Sequence, residues 1–465
     1  VLPGSRVVVI GGGVSGLATA YFLRSGGEPA PEVCLVEESP RLGGKVRTRV
    51  LSGLPVDTGP DTLVVRDPSV RALLDELDLR SRLVPPAARG AYLWSRGRLR
   101  PLPDGMELGV PGRLWPLLRS RVLSPTGLLR AGLGLLRTRN TVADTEPSVG
   151  EVVRSIFGPE VLDRLVAPLM AGRFAGSPDM LSARLVAPQL LDLLRPGQPA
   201  YPRLRALRGA SGGTTTPSTM TLPGGLEDLV EAMRQRLDDC DLRTGVGAVS
   251  LTRHVDRYVV TLADGTSVDA DAVVLATPAF VSADLLHALS PAAANDLREI
   301  RYASTTTVTL AYPGHALRRP LDATGFLVPP SENRLVTACT WSSAKWPHLS
   351  GPDLVLLRCS LGNVGWCSTV DDETVVRHAH SELAEAMGIT QPPTEFVVSR
   401  WPRALPEYTL GHGDRLRRVA HALRDLPGVF LTGAACGGAG LAQCLSHARR
   451  TADTLRATLP VPVSS

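Results

Sequence analysis

The chain has 465 residues and a formal net charge of +5, with 43% hydrophobic and 20% charged residues. That length exceeds what one simple core serves and predicts two or three domains, and the composition is that of a globular protein. The charge is small for the length and forms no basic run, which argues against a nucleic-acid partner.

Lys45 and Lys345 are the only lysines, so arginine carries nearly all the positive charge. The seven cysteines show no CxxC spacing, which predicts reduced thiols and no zinc site. No apolar run approaches the ~18 residues of a membrane span. No signal segment is expected, because Arg6 is followed at once by a strand pattern, and a cytoplasmic location follows. The leucine- and arginine-rich run 113–139 reads as amphipathic helices over a core, with peripheral contact at a membrane surface as the second reading.

The first element is RVVVI, a β-branched run suited to a strand buried on both faces of a parallel sheet. GGGVSG follows, and LATAYFLRSGG continues at helical spacing. Strand, tight turn and helix put Gly11, Gly13 and Gly16 in the GxGxxG order. The first glycine permits the turn, the second lets a pyrophosphate approach the backbone, and the third lets helix pack on strand. The helix N-terminus adds free N–H groups and partial positive charge. A second strand, EVCLVEE, brings Glu37 about 20 residues beyond Gly16, where a carboxylate suits ribose hydroxyls and disfavours a 2′-phosphate.

ESPRLGGKVRT then supplies a second glycine turn, Gly43–Gly44, flanked by the cations Arg41 and Arg47, and VDTGPDTL a further tight turn at Asp57 and Gly59. Beyond it the sequence becomes proline-rich and irregular, where a nicotinamide domain would continue with strand–helix repeats. This favours FAD over NAD. The pattern resumes near residue 221 with a turn and amphipathic helix, TLPGGLEDLVEAMRQRL. Three strands with an Asp-Gly hairpin turn follow, in RYVVTLADGTSVDADAVVLATP. GVFLTGAACGGAGLAQCLSHARRTADTL closes the chain as strand, glycine loop and helix. Cofactor segments at both ends and in the middle predict one discontinuous site, with the two glycine stretches as opposite walls. The glycines at 437, 438 and 440 leave room for a flat ring, and the helix after them suits negative charge on reduced flavin.

With these stretches, and with VAPLMAGRFAGSPDMLSARLVAP, TACTWSSAKWPH and SRWPRALPEYTLGH, the chain resembles the flavin amine oxidase superfamily. Within it, the resemblance is to the oxygen-dependent coproporphyrinogen III and protoporphyrinogen oxidases. It implies an α/β fold (α+β overall): a discontinuous, Rossmann-like FAD domain, an antiparallel-sheet substrate domain and a helical domain. The expected partition is 1–66, 217–285 and 427–465 for FAD, 67–88, 186–216 and 286–426 for substrate, and 89–185 for the helices. The resemblance also implies FAD contacts at Gly11, Gly12, Gly13, Val14, Ser15 and Gly16, at Glu37, Glu38 and Lys45, and at Gly59, Pro60, Asp61 and Thr62. Further contacts fall at Ala248, Trp401, Ala434, Ala439, Gly440 and Leu441, and the second glycine turn adds Arg41, Gly43 and Gly44. FAD is expected to be non-covalent, because Cys436 in the flavin-side loop matches no attachment site.

Two departures from the family pattern bear on substrate and leave the ADP-binding half untouched. GAGLAQC stands where the family reads like GVGIPDC, changing Ala442 and Gln443, and GRFAG stands for GIYAG, introducing Arg173. The implied reaction is the six-electron oxidation of coproporphyrinogen III to coproporphyrin III in haem biosynthesis, with oxygen as acceptor and hydrogen peroxide released. Protoporphyrinogen IX, an amine or a specialised metabolite are alternative substrates, and a flavin-bearing scaffold without turnover is the alternative of a different class. A porphyrinogen needs no strong base, so no catalytic side chain and no metal are expected. His348, His412 and His447 read as structural histidines. Arg66 and Arg173 are candidate anchors for substrate carboxylates, since a guanidinium grips a carboxylate through two parallel bonds.

Overall fold

A computed structural model describes residues 5–27, 30–103, 106–107, 110–111, 114–137, 146–174, 176–197, 199–211, 218–351 and 353–458. The ends of the run 113–139, at 113, 138 and 139, lie outside them, as do 1–4, 138–145, 175, 212–217 and 459–465 within the expected partition.

Five short strands form a wholly parallel sheet in the order Asp241–Thr244, Glu32–Glu37, Arg6–Ile10, Ala272–Leu275 and Val429–Leu431. Val7, Val8 and Val9 are fully buried, because apolar layers cover both faces of this sheet. On one face, helices Val14–Ser25 and Leu441–Thr458 share a core built from Leu17, Phe22, Leu445 and Leu455. The other face meets a three-stranded antiparallel sheet, Ala248–His254, Arg257–Leu262 and Ser267–Ala270, through Tyr258 and Val260. The Asp-Gly turn joins the last two of these strands, with Gly265 at φ +85°.

A seven-stranded sheet stands beside this unit, in the order Glu395–Pro406, Tyr302–Pro313, Leu354–Leu361, Val336–Trp341, Gly325–Leu327, Tyr92–Ser95 and Arg98–Pro101. It is antiparallel except where Gly325–Leu327 runs parallel to Tyr92–Ser95. Helix Asp372–Met387 buries Val375, Ala379 and Leu383 against one face. Short helices between residues 125 and 211 pack on one another around Ile156, Phe157, Leu165 and Leu193. Helix Val149–Phe157 opens with a capping box, in which Ser148 and Glu151 satisfy each other's backbone N–H groups.

The expected partition shifts at several places, among them helix Pro291–Arg298, expected with the substrate sheet, whose Ala293, Ala294 and Leu297 lie in the core of the parallel-sheet unit. Residues 92–101, inside the segment expected to be helical, form the edge hairpin of the seven-stranded sheet, because Tyr92 and Leu93 pair with Phe326 and Leu327. Helix Pro68–Glu76, expected with the substrate sheet, buries Val70, Leu73 and Leu74 in the core of the parallel-sheet unit. Residues 188–204 join the helical cluster through Leu190, Leu193 and Leu204. Helix His412–Ala422 places Val419 in the core of the parallel-sheet unit. In each case the apolar face found its partner in another layer.

Candidate active site

A cavity of about 2000 Å³ runs between the parallel-sheet unit, the seven-stranded sheet and helix Ala167–Phe174. Single ligand sites typically enclose roughly 300–1,000 Å³. The volume therefore accommodates two sizeable ligands side by side.

At one end the wall is backbone. Gly11 turns at φ +103°, and a Cβ on Gly16 would lie 1.8 Å from the Gly11 carbonyl oxygen, so helix and strand approach only without a side chain there. Gly13 is the helix N-cap and offers no side chain to the first turn. The free N–H groups of that turn lie where Gly13, Val14 and Ser15 face the cavity, the arrangement that receives a phosphate. The second glycine turn docks on the first, with Gly43 N–H donating to the Gly12 carbonyl at 2.8 Å. Glu37 accepts from Gly12 N–H at 2.6 Å and from Ser39 N–H at 2.9 Å, so both carboxylate oxygens are already oriented by backbone. Glu38, Ala248, Gly43, Gly44 and Lys45 also face the cavity. Burial lowers the Lys45 pKa from its ordinary value.

Three sequence-predicted contacts have other work. Gly12 is packed against Leu42 and Glu37, and Gly16 against Gly11, both behind the wall. Arg41 donates to the carbonyls of Leu42 (3.0 Å), Val46 (3.3 Å) and Gly44 (2.6 Å). It staples the second turn and does not line the cavity.

Midway, Gly59, Pro60, Asp61 and Thr62 reach the cavity. This turn is held close, since a Cβ on Gly59 would meet the Lys45 carbonyl oxygen at 1.8 Å. Trp401, also on the wall, donates its indole N–H to the Thr58 carbonyl at 3.0 Å. Lys345 Nζ lies 3.1 Å from Asp61 Oδ2 and 3.2 Å from Thr62 Oγ1. Burial works to raise the Asp61 pKa, but Lys345 and then Arg358 outweigh it and hold the carboxyl well below its usual range.

The C-terminal glycine loop forms the facing wall with Gly433, Ala434, Ala439, Gly440 and Leu441. Its position is set by side chains from PEYTLGH. The Tyr408 hydroxyl donates to the Ala434 carbonyl at 2.6 Å, and His412 Nε2 lies 2.9 Å from the Ala435 carbonyl, which requires the proton on that nitrogen. Gln443, where the family pattern has an acid, accepts from Gly440 N–H at 3.1 Å and so closes the loop as a carboxylate would. Cys436 is half-buried, and desolvation pushes its thiol up to about 12. His447 is likewise structural: desolvation, then Arg450, lowers it to about 4 while it bonds Thr432.

At the far end the wall changes to side chains. Thr305, Thr307, Thr340, Arg358 and Ser360 line it from three neighbouring strands. Register puts them on one face: Thr307 sits opposite Ser360, and Thr340 opposite Arg358. Ala167, Met170 and Arg173 of helix Ala167–Phe174 lie across from this face. Arg173 is exposed, with its guanidinium 5.5 Å from the Phe174 ring. Arg66 is also exposed, and it lies off the cavity wall. Its chain leaves the cavity into helix Pro68–Glu76, whose cap is Asp67. Sequence reading missed Tyr302, Thr305, Thr307, Arg358, Ser360 and Tyr408 as wall or wall-positioning groups. Only Tyr408 carried a signal, as part of a quoted motif.

No helix among the described residues is long and apolar enough to cross a membrane. The chain matches the model of the flavin containing amine oxidoreductases over residues 14–456. It is 30% identical to coproporphyrinogen III oxidase of Bacillus subtilis, over 96% of each chain. It is 31% identical to protoporphyrinogen oxidase of Bos taurus, over 98% of this chain and 99% of that one. The crystal structure of a protein from Exiguobacterium sp. 255-15, provisionally assigned as a protoporphyrinogen oxidase, superposes with a TM-score of 0.87 at 29% identity, over 97% of this chain and 99% of that one. The chain belongs to the flavin-containing amine oxidoreductases, on the branch of the coproporphyrinogen III and protoporphyrinogen oxidases, and is a flavin-dependent oxidoreductase.

Proposed function

We propose that this protein oxidises coproporphyrinogen III to coproporphyrin III with non-covalent FAD and oxygen. The observation that carries the reading is the cavity itself: a glycine-lined nucleotide end continuing without a break into a second, hydroxyl-lined chamber. When bound, FAD supplies a hydride acceptor that oxygen regenerates with release of hydrogen peroxide. The residues present fit such a group. The uncapped helix at Gly13 would receive the diphosphate, and Glu37, its oxygens fixed by Gly12 and Ser39, would hold the ribose hydroxyls. Tyr408 and His412 hold Ala434 and Ala435 in place at the other end.

The protein's part in the chemistry is to orient and to exclude water. The sheet face bearing Thr305, Thr307 and Ser360 and the helix bearing Met170 and Arg173 enclose the chamber that would take the macrocycle. The substrate loses six electrons and six hydrogens, and three oxygen molecules become three of hydrogen peroxide. The pyrroles stabilise the developing cation, so no side-chain base is needed. The seven free cysteines suit a reducing compartment, consistent with the cytoplasm. A second reading, protoporphyrinogen IX as substrate, draws support from the bovine relative.

The test is aerobic incubation of the yellow protein with each porphyrinogen, against an enzyme-free control for autoxidation. Red porphyrin fluorescence and stoichiometric peroxide with the copro substrate are expected, and flavin should separate from the protein on acid precipitation. Turnover only with a quinone or NAD as acceptor, or no turnover of either porphyrinogen, overturns the assignment.

A further inference from the structure

Where the 59–62 turn meets the seven-stranded sheet, two cations share one carboxylate. Lys345 satisfies Asp61 Oδ2 and Thr62, whereas Arg358 stands 3.7 Å from Asp61 Oδ1, beyond hydrogen-bond reach. The remaining tie of Arg358 is from Nη2 to the Gly59 carbonyl. Nε makes no protein hydrogen bond, Nη1 has only the ion pair to Asp61, and Arg358 lines the cavity as well as a small second pocket beside Asp57 and Asp61. The side chains of Lys345 and Arg358 are each only 15% exposed. A guanidinium cannot shed its charge, and one withdrawn from water with spare donors is a site waiting for an anion. Around it lie Thr340 and Ser360, neutral hydroxyls that can add bonds to a bound carboxylate.

The other cations on the cavity wall are Lys45, at the glycine end, and Arg173, on the helix across the chamber. Arg358 is thus the one cation on the sheet side of the substrate chamber among the described residues. We propose that Arg358, which shares the Asp61 carboxylate with Lys345 and so keeps uncompensated charge, anchors one substrate carboxylate and sets a preference for the more highly carboxylated macrocycle. This rests on the porphyrinogen reading. It takes over the role the sequence suggested for Arg66.

Porphyrin products are the probe: coproporphyrin III, with four carboxylates, and its tetramethyl ester, with none, titrated by fluorescence quenching into flavin-loaded protein in one co-solvent. Arg358→Gln, titrated as flavin-loaded protein, should weaken the acid roughly tenfold to a hundredfold and the ester by less than about twofold. Arg358→Lys should recover part of the loss, since it restores charge without the fork. Asp61→Asn removes the competing carboxylate and should tighten the acid, a gain that a merely structural role does not produce and that remains readable if Arg358→Gln fails to fold. Equal change for acid and ester in Arg358→Gln, or no gain in flavin-loaded Asp61→Asn, overturns the anchor. A wild-type protein that does not prefer the acid over the ester, and turns over neither porphyrinogen, instead removes the reading beneath it.

Discussion

At the glycine end of the cavity the protein presents backbone; at the other end it presents side chains drawn from three strands and a helix. Backbone recognition needs no particular side chain but needs close approach. Its signature is therefore a residue that sterics forbid to change, as at Gly16 and Gly59, where a Cβ would sit 1.8 Å from a carbonyl oxygen. The chamber floor is the opposite case. Thr307, Arg358 and Ser360 could each be replaced without breaking the sheet, so their identity carries chemistry and leaves little local trace. The difference predicts that mutations at the first end cost cofactor and fold together, whereas those at the second act first on ligand selectivity.

The largest expected effect is Gly16→Ala. The new methyl group must displace the turn or the helix, so the variant should lose flavin and several kcal/mol of stability, ~3 or more. Flavin absorbance and urea unfolding measure both. A stable, yellow Gly16→Ala protein would break the contrast.

Next is Glu37→Ala. It removes the acceptor of two backbone N–H groups as well as the proposed ribose partner, so the turn slackens and flavin affinity should fall by at least ~2 kcal/mol, about thirtyfold. Equilibrium dialysis against FAD reads this directly. Loss of flavin without loss of thermal stability would mean that the two bonds to Gly12 and Ser39 are incidental.

Asp57 lies behind the junction of the two ends and gives a pH-dependent effect. Burial, the largest influence, raises its carboxyl to about 6 against the bonds from Thr48 and Leu226, and Asp61 pushes it further up. The unfolded value is about 3.9, so the folded state binds the extra proton between these limits. The charged form therefore destabilises the fold fully above pH ~6, and the penalty disappears as pH falls toward ~4. Asp57→Asn keeps an acceptor for Thr48 and Leu226 and should gain roughly 1–3 kcal/mol at pH 8 and almost nothing near pH 4. The same gain at both pH values would show that burial does not control this carboxyl.

The smallest effect should be at Arg66. It is exposed and off the cavity wall, and Arg66→Ala should leave flavin content and porphyrin affinity within about twofold of wild type. A selective loss for coproporphyrin would return the anchor to this residue and make the chamber larger than its present wall.

The sequence by itself determined the parts that depend on local backbone geometry. RVVVI and EVCLVE read as strands and the glycines at 11, 13 and 16 as a strand-to-helix turn, and Arg6–Ile10 pairs in parallel with Glu32–Glu37. The discontinuity of the parallel-sheet unit was legible for the same reason, since its three segments each carry their own strand pattern. Local patterning left open which layer each amphipathic face would join, and so misplaced helix Pro68–Glu76 and the hairpin at 92–101. Nor could it place single polar residues of the chamber. Arg358 and Asp61 are far apart in the chain, and Thr307 and Ser360 become neighbours only through strand register. The tertiary structure decided those positions because long-range pairing fixes which face a side chain shares, and one residue of register would turn every one of them away.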